Sequence, residues 1–271
     1  MTLILTPRAG AAPLAIDLAG VVPARLATLA AADIARLPVQ ADGRGCELGE
    51  LFTVEGAATD LVMECRGDFR RVHHVAAGMQ AGVVRIKGNV GRHAGAGMGG
   101  GRLEIDGDAG DWLACELTGG DVFVAGGAGD NVAGALPGSQ VGMRGGRVVV
   151  AGRAGSLLAA RLRRGVVAVG GDCGAAAGFE MRAGSVVVGG SLGPQPGLGM
   201  RRGSVIALTD RPRPPATFRR GSTWRPPFLH LLLRSLAAAG FAPAAAVSPA
   251  TWRQWHGDPL AGGRGELLHP A

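Results

Sequence analysis

The sequence predicts an all-β chain: a right-handed parallel β-helix of about seven 19-residue coils, with a small helical N-terminal cap and a C-terminal helix plus extended tail. Three observations carry that expectation. Glycines open strand-like runs at Gly82, Gly101, Gly120, Gly146, Gly165, Gly184 and Gly203, spaced 19, 19, 26, 19, 19 and 19 residues apart. The second and fourth residues of the runs, from Val84/Ile86 through Val205/Ala207, are Val, Ile or Leu at thirteen of fourteen places, the period-two alternation of one buried strand face. Three residues before each opening glycine stands Met79, Met98, Leu117, Met143, Leu162, Met181 or Met200, a second inward row that takes five of the seven methionines. One coil cannot bury these groups alone, whereas stacked coils make a continuous core.

The columns between the runs fit the same geometry. Glycine recurs six residues on, from Gly88 to Gly190, and nine residues on, from Gly91 to Gly193. Thirteen residues on, the column reads Gly95, Ala114, Ala133, Ala159, Gly178, Gly197, which predicts a corner without room for larger groups. Stacked coils lie about 4.8 Å apart, and each buried Val or Leu contributes about 1.5–3 kcal/mol. A left-handed hexapeptide helix would favour an 18-residue coil. The G-x-G-x-x-G match at Gly95, Gly97 and Gly100 precedes a strand-like run, "RLEIDG", and not the helix a phosphate loop needs. The seven extra residues of the long coil, Leu136 to Gly142, are expected to form a projecting loop.

In chain order, residues 1–60 are expected to cap the stack through short helices, with Pro23 at a helix start and Asp33 before Ile34. Residues 61–208 form the coils. Residues 209–271 supply a linker around Arg211–Pro215, a helix from about Phe228 to Ala239, and an extended tail at "TWRQWHGD". The third strand position reads Arg85, Glu104, Phe123, Val149, Ala168, Val187, Ile206, so it opens with opposite charges and turns apolar. A covered face of Phe123, Val149, Val187 and Ile206 is expected, packed against Leu229, Leu232 and Leu233 of the helix or against another subunit, because monomers rarely expose such a stripe.

Composition excludes several classes. The chain has 271 residues, 48 glycines, no tyrosine and a formal charge of +7. Glycine at this frequency, interleaved with valine and lacking a G-X-Y period, is neither collagen nor disorder. Cys46, Cys65, Cys115 and Cys173 form no C-x-x-C pair, so a zinc or iron–sulfur framework is not expected. No segment reads as a signal peptide or membrane span, and a cytoplasmic protein with reduced thiols follows. Basic character favours anionic partners, but the repeat lacks the interleaved aromatics of a nucleic-acid platform. Asp111 and Asp130 share one column with Arg92, with Trp112 and His93 beside them. This pattern is read as a solvated ladder and not as the carboxylate site of a carbohydrate-active enzyme.

A further column follows the inward Met/Leu row: Gln80, Gly99, Thr118, Arg144, Arg163, Arg182, Arg201. Four successive coils therefore stack arginines, with Arg164 and Arg202 beside two of them. Guanidinium groups suit bidentate carboxylate recognition, so these six residues are the candidate site for an acidic partner.

With these columns in view, the chain resembles the C-subunit family of formylmethanofuran dehydrogenase, and within it the C-subunits of the bacterial formyltransferase/hydrolase complex. The repeat, as in "GNVGRHAG", is shared with the C-terminal domain of the glutamate synthase large subunit. The flanks are more specific: "ADIARLPV", "LGELFTVEG", "FLHLLLRSLAAAGF" and "GDPLAGGRGELL". The resemblance implies a non-catalytic scaffold subunit of a cytoplasmic one-carbon complex. That complex moves a formyl group from tetrahydromethanopterin to a methanofuran-type carrier and hydrolyses it to formate. It further implies that the carrier, tetrahydromethanopterin and the hydrolase metal sit on partner subunits: metal-dependent hydrolase-like, dehydrogenase-B-like and formyltransferase chains. No cofactor, metal or catalytic residue is expected on this chain. The acidic ligand of the arginines would be a partner surface or the polyglutamyl tail of the carrier. The alternatives are a stand-alone β-helical carbohydrate-active enzyme and a glutamate-synthase-like domain.

Overall fold

The computed structural model describes residues 2–8, 13–209, 211–247 and 251–271. The N-terminal segment contains β1 (Leu3–Pro7), β2 (Ile16–Asp17), α1 (Pro23–Leu26), α2 (Ala31–Ala35), β3 (Pro38–Ala41), β4 (Arg44–Glu47), α3 (Leu48–Leu51) and β5 (Phe52–Glu55). The expected helical cap is therefore corrected. Its helices are only four or five residues long, and strands make up most of its regular structure. Leu3 and Leu5 alternate inward and are fully buried, so this stretch pairs as a strand, antiparallel with β5. Pro23 does open α1, but Asp33 lies inside α2, whose N-cap is Ala30.

The repeat region contributes β6 (Val62–Arg66), β7 (Val72–His73), β8 (Val83–Lys87), β9 (Arg102–Ile105), β10 (Asp121–Val124), β11 (Arg147–Val150), β12 (Val166–Val169), β13 (Ser185–Val188) and β14 (Arg202–Ala207). Apart from β7, these strands pair in parallel with each repeat in register. Val84 stands opposite Leu103, then Val122, Val148, Val167, Val186 and Val205. A second parallel ladder of single bridges links Phe69, Val90, Ala109, Ala128, Ala154, Cys173 and Leu192. The 26-residue step keeps both registers, so its extra residues leave the ladders undisturbed. Pro137, Gly138 and Gln140 are exposed, while Arg161 pins the segment by donating to the Ser139 carbonyl at 2.5 Å.

The glycine columns do two different jobs. The seven opening glycines have φ between 78° and 113°, a left-handed conformation that side chains disfavour. Gly110, Gly155 and Gly174 instead permit close approach. A Cβ there would stand 2.9, 2.8 and 2.6 Å from the amide nitrogens of Arg92, Asp130 and Ser156 in the preceding repeat. The Gly/Ala column has φ between 53° and 72°, so its alanines occupy the left-handed region. All seven Met/Leu side chains and the inward strand residues lie in one buried cluster running from Leu3 to Leu267.

The chain ends with β15 (Arg219–Trp224), α4 (Pro227–Ala238), α5 (Ala242–Ala246), β16 (Trp252–Gly257), a 3₁₀ turn (Pro259–Ala261) and β17 (Arg264–Pro270). The tail does more than extend. β17 pairs in parallel with β14, placing Leu267 beside Val205, and β16 and β15 follow antiparallel. The result is a 13-stranded, mostly parallel sheet with β5 and β15 at its edges, beside a four-stranded sheet of β4, β3, β2 and β7.

Candidate functional site

Each side chain with chemistry to offer sits in a column, because a residue 19 positions on occupies the same place one repeat along. In the third strand column, Arg85 Nε lies 3.0 Å from Glu104 Oε2, and Arg102 reaches the other Glu104 oxygen. In the fifth column, Lys87 and Asp106 are also 3.0 Å apart. Further along, Val149, Ala168, Val187 and Ile206 are buried together with Leu229, Leu233, Leu236, Phe241, Trp252 and Leu268. The cover is thus α4, α5, β16 and β17. Leu236, rather than Leu232, completes the inward row of α4, as a helix turning inward at i, i+4 and i+7 requires. Phe123 is corrected: it is half-buried at the margin of this cluster. Its ring lies between Arg102 and Arg147, whose guanidinium carbons are 4.5 and 5.6 Å from the ring centre.

The arginine column is one continuous backbone ladder. The amides of Arg144, Arg163, Arg182 and Arg201 donate to Leu117, Met143, Leu162 and Met181 of the preceding repeats, at 2.7–2.9 Å. Arg144, Arg163, Arg164, Arg201 and Arg202 are exposed, and Arg182 is half-buried. Arg202 lies directly opposite Arg264 in the strand pair β14–β17. Among the described residues, none of the six makes an ion pair. Other basic groups of the repeat do, including Arg147 with Asp121 at 3.0 Å and Arg161 with Glu180 at 2.8 Å.

At the other end, the column of Arg92, Asp111 and Asp130 is a hydrogen-bond ladder and not a charge ladder. Each acceptor side chain takes the amide of the same position one repeat on: His73 Nδ1 from Arg92 at 3.0 Å, Asp111 from Asp130 at 2.9 Å, and Asp130 from Ser156 at 2.7 Å. A parallel ladder runs from Asn89 to Asp108 to Gly127. These carboxylates are committed to the backbone, and Arg92 alone interrupts the series with a side chain that has no acceptor.

Beside it stand His74, His93 and Trp112, stacked with ring centres 4.8 and 6.0 Å apart. The sequence carries a signal for this stack, since 74, 93 and 112 share the 19-residue spacing. All three adopt φ of 56–62°, but so do Asn131, Leu157, Ala176 and Gln195 in the same column; the strain belongs to the repeat, not to a site. His74 Nδ1 is 3.1 Å from Asp17 on β2. His73, His74, His93, Arg92, Asp17 and Gln40 line a cleft of about 310 Å³. Burial, with Arg92 and His74 nearby, holds His73 and His93 below the ordinary imidazole range. His73 can accept the Arg92 amide only in that neutral form. Cys115 Sγ lies 3.9 Å from His93 Nδ1, but burial pushes its thiol up to about 12, which leaves no thiolate nucleophile near neutral pH.

Among the described residues, no three His, Cys, Asp or Glu side chains are grouped to hold a metal ion. No helix among them is long and apolar enough to cross a membrane.

No protein-family model matches the chain, and no curated protein sequence matches it. Among solved structures, it is similar to a chain in the X-ray crystal structure of the formyltransferase/hydrolase complex (FhcABCD) from Methylorubrum extorquens in complex with methylofuran. The two chains are 35% identical and superpose with a TM-score of 0.91, and the match covers 99% of each. At that identity over both full lengths, the chain belongs to the same family as this chain of the formyltransferase/hydrolase complex.

Proposed function

We propose that the chain is the C-type member of a formyltransferase/hydrolase complex and acts there as a non-catalytic scaffold. The observation that carries this reading is the 35% identity over 99% of both chains. The flanking segments of the C-subunit resemblance, before and after the repeat, support the choice among the chains of the complex. So does the commitment of Asp111 and Asp130 to backbone amides, which removes the carboxylates an independent β-helical hydrolase would need. On this reading the repeats wind as a right-handed parallel β-helix, with residues 1–60 as cap, 61–208 as coils and 209–271 as closing tail. The partners are the hydrolase-like, dehydrogenase-B-like and formyltransferase subunits, in the cytoplasm. They bind the methanofuran-type carrier and carry the chemistry from formyl-tetrahydromethanopterin to formate. A rigid stack contributes by fixing distances between partner sites.

Purification of the tagged chain from its native cell should recover the other subunits, and the chain alone should show no formyl transfer or hydrolysis. Turnover by the isolated chain above background, or recovery without those subunits, would refute the proposal.

A further inference from the structure

Charge is divided unevenly along the chain. Residues 1–140 hold 11 basic and 16 acidic residues, a net of −5, whereas residues 141–271 hold 17 basic and 5 acidic residues, a net of +12. The described carboxylates of the second part are largely engaged. Glu180 pairs with Arg161, Glu266 accepts from Ser204 and Gln254, and Asp258 accepts the amides of Gly199 and Leu260. Nothing among the described residues answers the row Arg144, Arg163, Arg182 and Arg201 or the flanking Arg164 and Arg202.

That row is unfavourable in the isolated chain. Like charges on neighbouring strands repel, and a carboxylate on one of four repeats would relieve them, as Glu104 does for Arg85. We infer that the arginine row is a docking face for a carboxylate-rich surface of a partner subunit. The inference rests on the membership proposed above. A folded partner fits better than nucleic acid, since base stacking wants exposed aromatics among the cations, and the exposed large apolar residues, Leu14, Trp224, Phe228, Leu231 and Leu260, lie outside the row. A row with one guanidinium per repeat, about 4.8 Å apart, presents planar forks that pair bidentately with carboxylates. Docking would replace mutual repulsion with charge-assisted hydrogen bonds.

The test mixes the full chain with the other three subunits and measures the assembled fraction by size-exclusion chromatography at low and high salt. Wild-type assembly should weaken as salt rises. The double variant R163E/R182E should assemble at least about tenfold more weakly at low salt, the energy of roughly one lost charge-assisted contact. The same variant, measured alone, should melt no lower than wild type, because each substitution sets an acid between two arginines. R163Q/R182Q should fall between the two. R153E, an exposed arginine in a different column, should assemble as wild type does.

Normal assembly of R163E/R182E at low salt would overturn the inference, as would an equal loss in R153E. Unaltered assembly with reduced binding to poly-L-glutamate would assign the row to a free polyanion and also overturn it. If the wild type itself fails to assemble, the membership proposal falls first and the docking face with it.

Discussion

Along one outward column of the sheet, the first repeats carry Arg85 and Glu104, joined at 3.0 Å and reached by solvent. Four and five repeats later the same position carries Val187 and Ile206, fully buried beneath α4 and its neighbours. The strands beneath are alike in length and register. The inward residues are also alike, because every repeat must fill the same core. The outward residues answer only to what lies outside, so one backbone serves a solvated face at one end and a covered face at the other. The period of a repeat therefore specifies its interior, while the drift of a column along the stack reports its surroundings.

The contrast is tested most severely by Val187→Asp, which buries an unpaired carboxylate beneath α4 and should cost about 4 kcal/mol or more. Thermal melting or loss of soluble protein would reveal it. A variant that melts like wild type would mean the helix does not cover the column. A property shared by both ends comes next. Burial raises the thiols of Cys65, Cys115 and Cys173 from 9.0 to about 12. Above pH 9 the unfolded chain releases these protons and the folded chain keeps them. Stability is therefore complete below pH 9 and declines between 9 and 12, by about 1.4 kcal/mol per thiol per pH unit. Denaturant midpoints at pH 8 and 10.5 should differ accordingly, and a triple Cys→Ala chain should lose that part of the dependence.

Phe123 marks the border between the two regimes. Phe123→Ala should cost about 1–2 kcal/mol, since the ring is half-buried and held between two guanidiniums; a loss comparable to that of Val187→Asp would place the border one repeat earlier. Removing one rung of the side-chain ladder with Asp130→Ala should cost about 1 kcal/mol, read from the denaturant midpoint. The smallest change is expected from Glu104→Val, in the same column as Val187. Exposed pairs contribute little, so the shift should stay within about 1 kcal/mol. A larger loss would show that the charged end is as tightly constrained as the covered one.

The coils are legible because their inward positions recur and each recurrence is independent support for the same geometry. Val84 alone says little, but seven such residues at one spacing define a sheet and its register. Segments without a periodic counterpart are harder to read. β17 joins β14 with Val205 beside Leu267, a separation of 62 residues that no 19-residue search detects, although "RGELL" imitates "RGSVI". β1 to β5 read as helical because Ala-rich stretches around them favour helix, while the pairing that decides for strands is tertiary. The arginine row and the stack of His74, His93 and Trp112 are both present as columns. Only the first is conspicuous, because four identical residues stand out where His, His and Trp do not. The interruption at Arg92 becomes visible only when the amide acceptors on either side of it are located.

The pairing of β17 with β14 also sets an order in time. When the ribosome has finished Ala207, every earlier rung of the stack can already close, but the next rung lies 57 residues further on, beginning at Arg264. At 5–20 residues per second, the newest strand waits roughly 3–11 s for its neighbour. During that interval β14 offers a row of unsatisfied amides and carbonyls to any chain alongside it. On a polysome, the chain alongside is often another copy with the same open edge. The late strand is therefore the step that ends a window for end-to-end joining, and chains released before it would be expected to form filaments rather than to remain single.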